Sequence, residues 1–498
     1  MKKLSRIVFS LLICFSFTSI ATAQTDFEKY KQQQLSAFNQ YVEQEVESFN
    51  AYRDSLNHSF ATFLETAWKS FPLQAPEPLI KTPIRIPPVY DLAQEEPQPT
   101  EIPIEETLPV VVEPDPEPQP VEPSPALAPV PVFAVEYPVT VDFYGTAISL
   151  KETAKTTLPL SGVSEKEVAS CWRMLSKLPH YEWEDEVMRI KAELKLNDWG
   201  VYQLLNRLYK VYFPQGNGNA QVVFSVFMLN QLGYYAKIGR AGNRLIPLVA
   251  FEQEVFNCPT FTYSNQASVK YAALVPMGEN LTSVKTCDVD YANASGYMDL
   301  SMPTNPRFTV QEVAKELTPN NGKDTYRLRY NRNTVDFYTG YPCVHFTVYA
   351  KAALDDVLLE SIKEQLEPAI AGKSQMDAVN WLLRFVQKSF EYKRDDEQFG
   401  YEKWFFAEET IASSYSDCED RAILFAQLVH RLCKLPVVLV YYPGVHLATA
   451  VRFDNQQAAG SYVTVNGSRY LICDPTYTNA NAGVAMPGLN EVEVMGIR

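Results

Sequence analysis

The chain has 498 residues, 8 cysteines and a formal net charge of −15. That length leaves room for two or three domains, and so few cysteines exclude a disulfide scaffold. The charge is local. Between Arg85 and Lys151 there are twelve acids and no basic residue, so the excess says little about the folded parts, and nothing in it points to nucleic acid.

In chain order, the first 23 residues have the layout of a bacterial secretory signal peptide. Lys2, Lys3 and Arg6 precede an apolar run over 7–20, and Ala21, Thr22 and Ala23 form a small-residue cleavage site. The apolar run falls short of the roughly 20 residues a membrane span needs. No transmembrane anchor is expected there or elsewhere, and the mature protein is expected in the periplasm or secreted. Cleavage after Ala23 leaves seven cysteines, at 171, 258, 287, 343, 418, 433 and 473. An odd count fits some pairing plus at least one free thiol.

Residues 24–71 read as an amphipathic helix. Leu35, Val42, Phe49, Leu56 and Phe63 recur every seven residues, with Phe38, Tyr52, Phe60 and Trp68 beside them. Such a helix either docks on the protein's own surface or serves self-association or a protein partner. Residues 72–138 hold 19 of the 34 prolines, interleaved with Glu and Val. This composition favours extended polyproline II, and it predicts a semi-rigid linker between the helix and the rest of the chain.

The remainder resembles itself. TVDFY at 140–144 recurs at 334–338, and "YQLLNRLYKVYF" (202–213) parallels "VNWLLRFVQKSF" (379–390). "QVVFSVFMLNQLGYYAKIGR" (221–240) lines up with "RAILFAQLVHRLCKLPVVLV" (421–440). "RLIPLVAF" (244–251) matches "HLATAVRF" (446–453), and "VKYAALVP" (269–276) matches "SRYLICDP" (468–475). Their shared order predicts a tandem duplication, with domains at 139–310 and 311–498. Each half reads as a strand, then helices, then a loop opening into an apolar helix and a β-rich tail. This is an α+β pattern, with a helix packed on an antiparallel sheet.

The second half carries chemistry. Cys418 follows Asp417, a good N-cap residue, and opens an apolar helix. A thiol in the first turn meets the positive end of the helix dipole, which favours thiolate, and neighbouring N–H groups can bind an oxyanion. Glu419 and Asp420 are expected to turn outward. His446 begins a strand after a Pro-Gly turn, and Asp474 lies on the strand predicted to pair with it. A carboxylate so placed can hold the second N–H of an imidazole. His430, twelve residues down the helix, is out of reach of Cys418. Cys433 and Cys473 read as buried thiols, with Cys473 facing away from Asp474's side.

"DCEDRAILFAQLVHRLCKLP", "YPGVHLATAVRF" and "YLICDPTY" resemble the cysteine, histidine and aspartate motifs of the transglutaminase-like superfamily, which has a papain-like fold. The resemblance covers roughly residues 375–490. It implies Cys418 as nucleophile, His446 as general base and then acid, Asp474 as the orienting residue, and acyl transfer through a thioester. The family often has Gly where this chain has Ser416. The approach "YEKWFFAEETIASSYSDC" is also similar to the family's, so Trp404 or Tyr415 would line the acyl site or assist the oxyanion. An insertion containing "RDDEQFG" precedes the cysteine and suggests a substrate-shaping loop.

The first half serves as a control. The matched blocks set Gly218 opposite Cys418, Arg244 opposite His446 and Val275 opposite Asp474, so the first copy reads as a degenerate, non-catalytic domain. No cofactor is expected: no His/Cys spacing resembles a metal site, and "QGNGN" (215–219) lacks a P-loop lysine. The expectation is an exported cysteine peptidase or amidase acting on a protein or peptide in the cell envelope. The alternatives are a protein-crosslinking transglutaminase and a non-catalytic envelope scaffold with a vestigial triad.

Overall fold

Apolar spacing along residues 24–64 makes a continuous helix the expected local structure. In the computed structural model one helix spans Lys2–Leu64. The structure describes residues 2–66, 68–93, 98–107, 139–151, 157–158, 160–264, 268–319 and 323–497. Residues 94–97 and 108–138 of the expected linker lie outside them. The described chain forms two compact units, Met1–Phe63 and Leu64–Arg498. In the first, the heptad residues Leu35, Val42, Phe49 and Phe63 are all exposed. The helix ends earlier than the 71 expected, and Lys69–Pro72 is a strand. Among the described residues no helix is long and apolar enough to cross a membrane.

The second unit is α+β and uses one plan twice. The first half opens with the hairpin Val139–Phe143 and Thr146–Leu150, turned by Tyr144 and Gly145 at φ 47° and 70°. Helices Glu165–Leu175, His180–Leu194 and Asp198–Tyr212 follow. Ser164, Asn197 and Asn217 supply side-chain N-caps, and Asn217 starts the apolar helix Gly218–Gln231. The second half opens with the hairpin Glu312–Leu317 and Tyr326–Asn331. A set of helices including Asp356–Ile370 and Gln375–Ser389 leads to Cys418–Leu428, which continues as the π-helical turn Val429–Cys433.

Each apolar helix lies against an antiparallel sheet of matching order. In the first half Ala236–Ala241 pairs with Arg244–Ala250, then Ser268–Ala273, then Thr260–Ser264, while Ser283–Thr286 flanks the opening strand. In the second half Val437–Tyr442 pairs with His446–Val451, then Ser468–Cys473, then Ser461–Val465, and Val492–Gly496 takes the flanking place. The matched sequence blocks fall on equivalent helices and strands, with one exception. TVDFY at 140–144 is a hairpin strand and turn, whereas at 334–338 it is helix, within Arg332–Tyr338. The same five residues follow opposite local instructions. Gly145 allows the tight hairpin turn, and the Asn331 side chain caps a helix.

The halves are not separate beads. Phe143 and Tyr144 pack on Phe308, and Tyr144 and Phe308 pack on Phe337 of the second half. Asn197 donates to the Tyr341 hydroxyl at 2.6 Å, and Asn257 accepts from the Cys343 N–H at 3.0 Å.

The described part of the proline-rich stretch is not a free spacer. Lys69–Pro72 adds to the first sheet beside Ser283–Thr286. The chain then crosses to the second half, with bridges from Ile80 to Gly444 and from Val89 to Thr478. Thr100–Glu101 adds in parallel to Ser461–Val465, and Ile104–Thr107 to Val492–Gly496. Proline leaves every carbonyl and the intervening N–H groups free to bond, so an extended edge segment is compatible with its composition.

One close approach holds this region. Gly460 and Gly483 sit at φ 119° and 90°, and a Cβ on Gly460 would come within 2.4 Å of the Gly483 Cα. The Gly460 carbonyl accepts from Thr100, and Gly483's from Ser461. Gly460→Ala should cost about 1–3 kcal/mol in backbone strain alone, read as a lower denaturation midpoint at unchanged slope; an unchanged midpoint would refute this account.

Candidate active site

Cys418 is the first residue of the helix Cys418–Leu428, all eleven residues of which are buried. With no solvent-facing side, the helix cannot turn Glu419 and Asp420 outward as the sequence suggested. Both are buried, at 2% and 1% exposure. Asp420 accepts from the N–H groups of Phe405 (2.9 Å) and Asp417 (3.4 Å). Glu419 Oε2 accepts from the Cys418 thiol at 2.9 Å.

Burial, and then the negative charges of Glu419 and Asp417, push the Cys418 thiol well above its ordinary range. The Leu447 N–H opposes the shift. The helix N-terminus is therefore outweighed here, and Cys418 rests as a thiol. The helix packs against the strand His446–Val451, which carries Leu447.

His446 is fully buried and its Nε2 lies 2.8 Å from Asp474 Oδ2. A carboxylate partner assigns the proton to Nε2, leaving Nδ1 as an acceptor, and Nδ1 is buried without a partner. The ring stacks against Tyr442 at 5.8 Å. Asp474 follows directly after the strand Ser468–Cys473, whose pairing sets Cys473 opposite Thr449. Its Oδ1 accepts from the N–H groups of Thr476 and Tyr477. Gln387, on helix Gln375–Ser389, donates to the carbonyls of Asp474, Tyr477 and Ala480. Buried amide donors of this kind fix the carboxylate's loop. Nothing in the residue pattern marked Gln387, because its partners are backbone atoms.

The remaining candidates are placed differently. Trp404 is buried among Phe256, Phe346 and Tyr349, and its Nε1 donates to Glu402 at 3.1 Å. Among the described residues no hydrogen bond joins the indole to Cys418, whose thiol is bonded to Glu419. Tyr415 is half-buried under the Lys393 amine, 4.9 Å from the ring centroid. Tyr392 was not foreseen. Its ring lies 5.3 Å from the Arg421 guanidinium, and Arg421 also donates to Ser416 and the Phe390 carbonyl. Burial, the leading cause, raises the Tyr392 phenol strongly, and strand pairing sets Tyr392 opposite Ser416, two residues before Cys418. Cys433 is half-buried and Cys473 buried; Cys473 Sγ points to the Leu471 carbonyl at 3.6 Å. All seven cysteines described are free, contrary to the pairing expected from their odd number.

The insertion before Cys418 packs inward. Asp395 accepts from the Lys403 N–H at 2.6 Å, and the Lys403 amine bonds Glu409 at 2.7 Å. Asp395, Asp417 and Glu419 bring carboxyl oxygens within 4.8 Å of one another. Burial first, and mutual repulsion next, raise all three, and Asp420 is pushed up to about 7. Groups so crowded hold protons in common.

In the first half the equivalent place is open. Gly218 begins its helix, Arg244 begins its strand, and with Val275 they line one cavity of about 310 Å³. Arg244 is engaged by Glu279 in an ion pair. The three positions that sequence matching set opposite Cys418, His446 and Asp474 thus converge in space.

Glu408 offers a pH test of the buried acids. Burial, the leading cause, raises its carboxyl from 4.5 to about 7. Its Oε1 accepts from the Asp355 N–H at 2.7 Å. The folded state therefore holds this proton while the unfolded chain releases it, and stability is lost as pH climbs from 4.5 through 7. Glu408→Gln keeps the acceptor and should remove up to about 3 kcal/mol of that loss. Denaturant midpoints at pH 5 and pH 8 would show a flatter dependence, and an identical slope would refute it. No protein-family model matches the chain, and no protein of curated function matches it in sequence.

Proposed function

We propose that the second half is a transglutaminase-like, papain-like cysteine acyl-transfer enzyme, exported to the cell envelope and acting there as a peptidase or amidase. The observation that carries this reading is the buried His446–Asp474 pair with its unpartnered Nδ1, on the strand that packs against the helix headed by Cys418. An imidazole oriented by a carboxylate and left with one vacant acceptor is suited to take a proton from a neighbouring nucleophile.

The steps follow. The Cys418 thiol leaves Glu419 and gives its proton to His446 Nδ1. The thiolate attacks a carboxamide or peptide carbonyl, and the oxyanion that forms is met by N–H groups of the helix's first turn. Imidazolium protonates the departing amine, leaving a thioester. Water, deprotonated by the same nitrogen, then releases a carboxylic acid and the thiol. With a lysine amine in place of water the product is an isopeptide, the transglutaminase outcome. Hydrolysis is favoured because water is the abundant acceptor. A scaffold with a vestigial triad is disfavoured, because the copy without chemistry has lost all three residues and this one keeps all three.

Labelling with a thiol-directed acyl probe should be abolished by Cys418→Ala and slowed roughly 10²- to 10⁴-fold by His446→Ala. Asp474→Asn, which disturbs the tautomer, should act in the same direction. Equal labelling in all variants, both in the native protein and after limited trypsin treatment, would sink the enzyme. Incorporation of a labelled amine into a glutamine donor would favour the crosslinking alternative.

A further inference from the structure

The triad is closed: Cys418 and His446 are fully buried and Asp474 is 1% exposed. A segment of the same chain lies against the turn, strand and loop that flank these residues. The N–H groups of Lys81 (2.9 Å) and Thr82 (2.8 Å) both donate to the carbonyl of Gly444, two residues before His446. Tyr441, on the same hairpin, donates its hydroxyl to the Leu79 carbonyl. Tyr392, paired opposite Ser416, donates to the Ile84 carbonyl at 2.7 Å. Beyond it, Tyr90 donates to Thr478 and Thr478 to Pro88, in the loop that follows Asp474. The path runs from the histidine's strand, past the nucleophile, to the aspartate's loop.

We propose that residues 79–90 occupy the peptide-substrate groove of this site, so that the enzyme is latent until they are displaced and its substrates are extended peptide segments. The inference rests on reading the triad as an active site. Recognition in the groove is mainly by main chain. The bonds above use backbone carbonyls and N–H groups of the segment, and the Thr82 hydroxyl adds one to the Gly444 carbonyl. Of its side chains Ile80 is buried and Ile84 and Tyr90 pack against the cluster around Tyr477, while Ile86 and Val89 are 82% and 66% exposed. An extended strand bound this way is read at few side-chain positions, as in β-strand addition. Prolines at 83, 87 and 88 keep the segment extended and lower the ordering cost of binding. The approach to Gly444 is loosely packed: a cavity of about 770 Å³ is lined by residues of 74–81 together with Tyr441, Pro443, Glu254 and Lys270. The burial that keeps Cys418 a thiol is the electrostatic side of the same closure.

The test measures access to Cys418 separately from turnover. Iodoacetamide alkylation, mapped by mass spectrometry, is compared in the full chain, in Ile80→Asp, in Lys81→Pro with Thr82→Pro, and after brief trypsin cleavage at the exposed Lys81 and Arg85. Each opening should speed alkylation of Cys418 about tenfold or more, roughly the loss of one net hydrogen bond, while the buried Cys343 stays protected. A synthetic peptide of residues 78–90, but not its scramble, should restore protection to the opened variants. Unchanged Cys418 alkylation in all of them, or equal exposure of Cys343, would overturn the proposal. Faster alkylation with no turnover of any peptide or amide would instead leave the groove occupant standing and remove the enzyme reading.

Discussion

Everything near the site depends on an apolar helix sunk completely between a sheet and the neighbouring helices. Because every residue of Cys418–Leu428 is buried, the helix cannot rotate or slide without exposing core. Its first residue therefore lands at a fixed place beside the start of the strand His446–Val451. The same wedge recurs in Gly218–Gln231, against a sheet of the same order. Fold and chemistry separate cleanly here, since one copy keeps the wedge with Gly218 at its head.

Complete burial has a cost that shapes the local electrostatics. A helix beginning Cys-Glu-Asp-Arg must accommodate three charged side chains away from water. Arg421 is satisfied by Ser416, the Phe390 carbonyl and the Tyr392 ring. The acids find fewer cations and keep protons instead, with Lys403 committed to Glu409. Desolvation thus leads against thiolate, and it exceeds the stabilisation available from one helix terminus.

How much of this was legible follows from the range of each signal. Cys418, His446 and Asp474 stand out because residue type and the 28-residue spacing are written along the chain. The duplication was legible for the same reason, and its matched blocks fall on equivalent elements. TVDFY misled because five residues carry no information about the turn or cap beside them. Glu419 misled because amphipathic reasoning assumes that a helix has a wet face. Tyr392 and Gln387 act through ring contacts and backbone partners that only the tertiary structure brings near. The docking of residues 69–93 and 98–107 was invisible for another reason, since proline-rich composition specifies an extended backbone but not what that backbone lies against.

That docked segment bears on the order in which the chain folds. Its hydrogen bonds join Leu79 to Tyr441 and Glu101 to Thr464, across 362 and 363 positions of sequence. Contacts of such separation close very large loops and repay that entropy only when both partners are ordered. During synthesis from the N-terminus, residues 79–101 emerge hundreds of positions before the strands that receive them. They must wait as an unpaired strand without aggregating. A stretch rich in proline and acid, which cannot offer a continuous ladder of N–H groups, is well suited to that wait. Docking then comes as a late event in assembly.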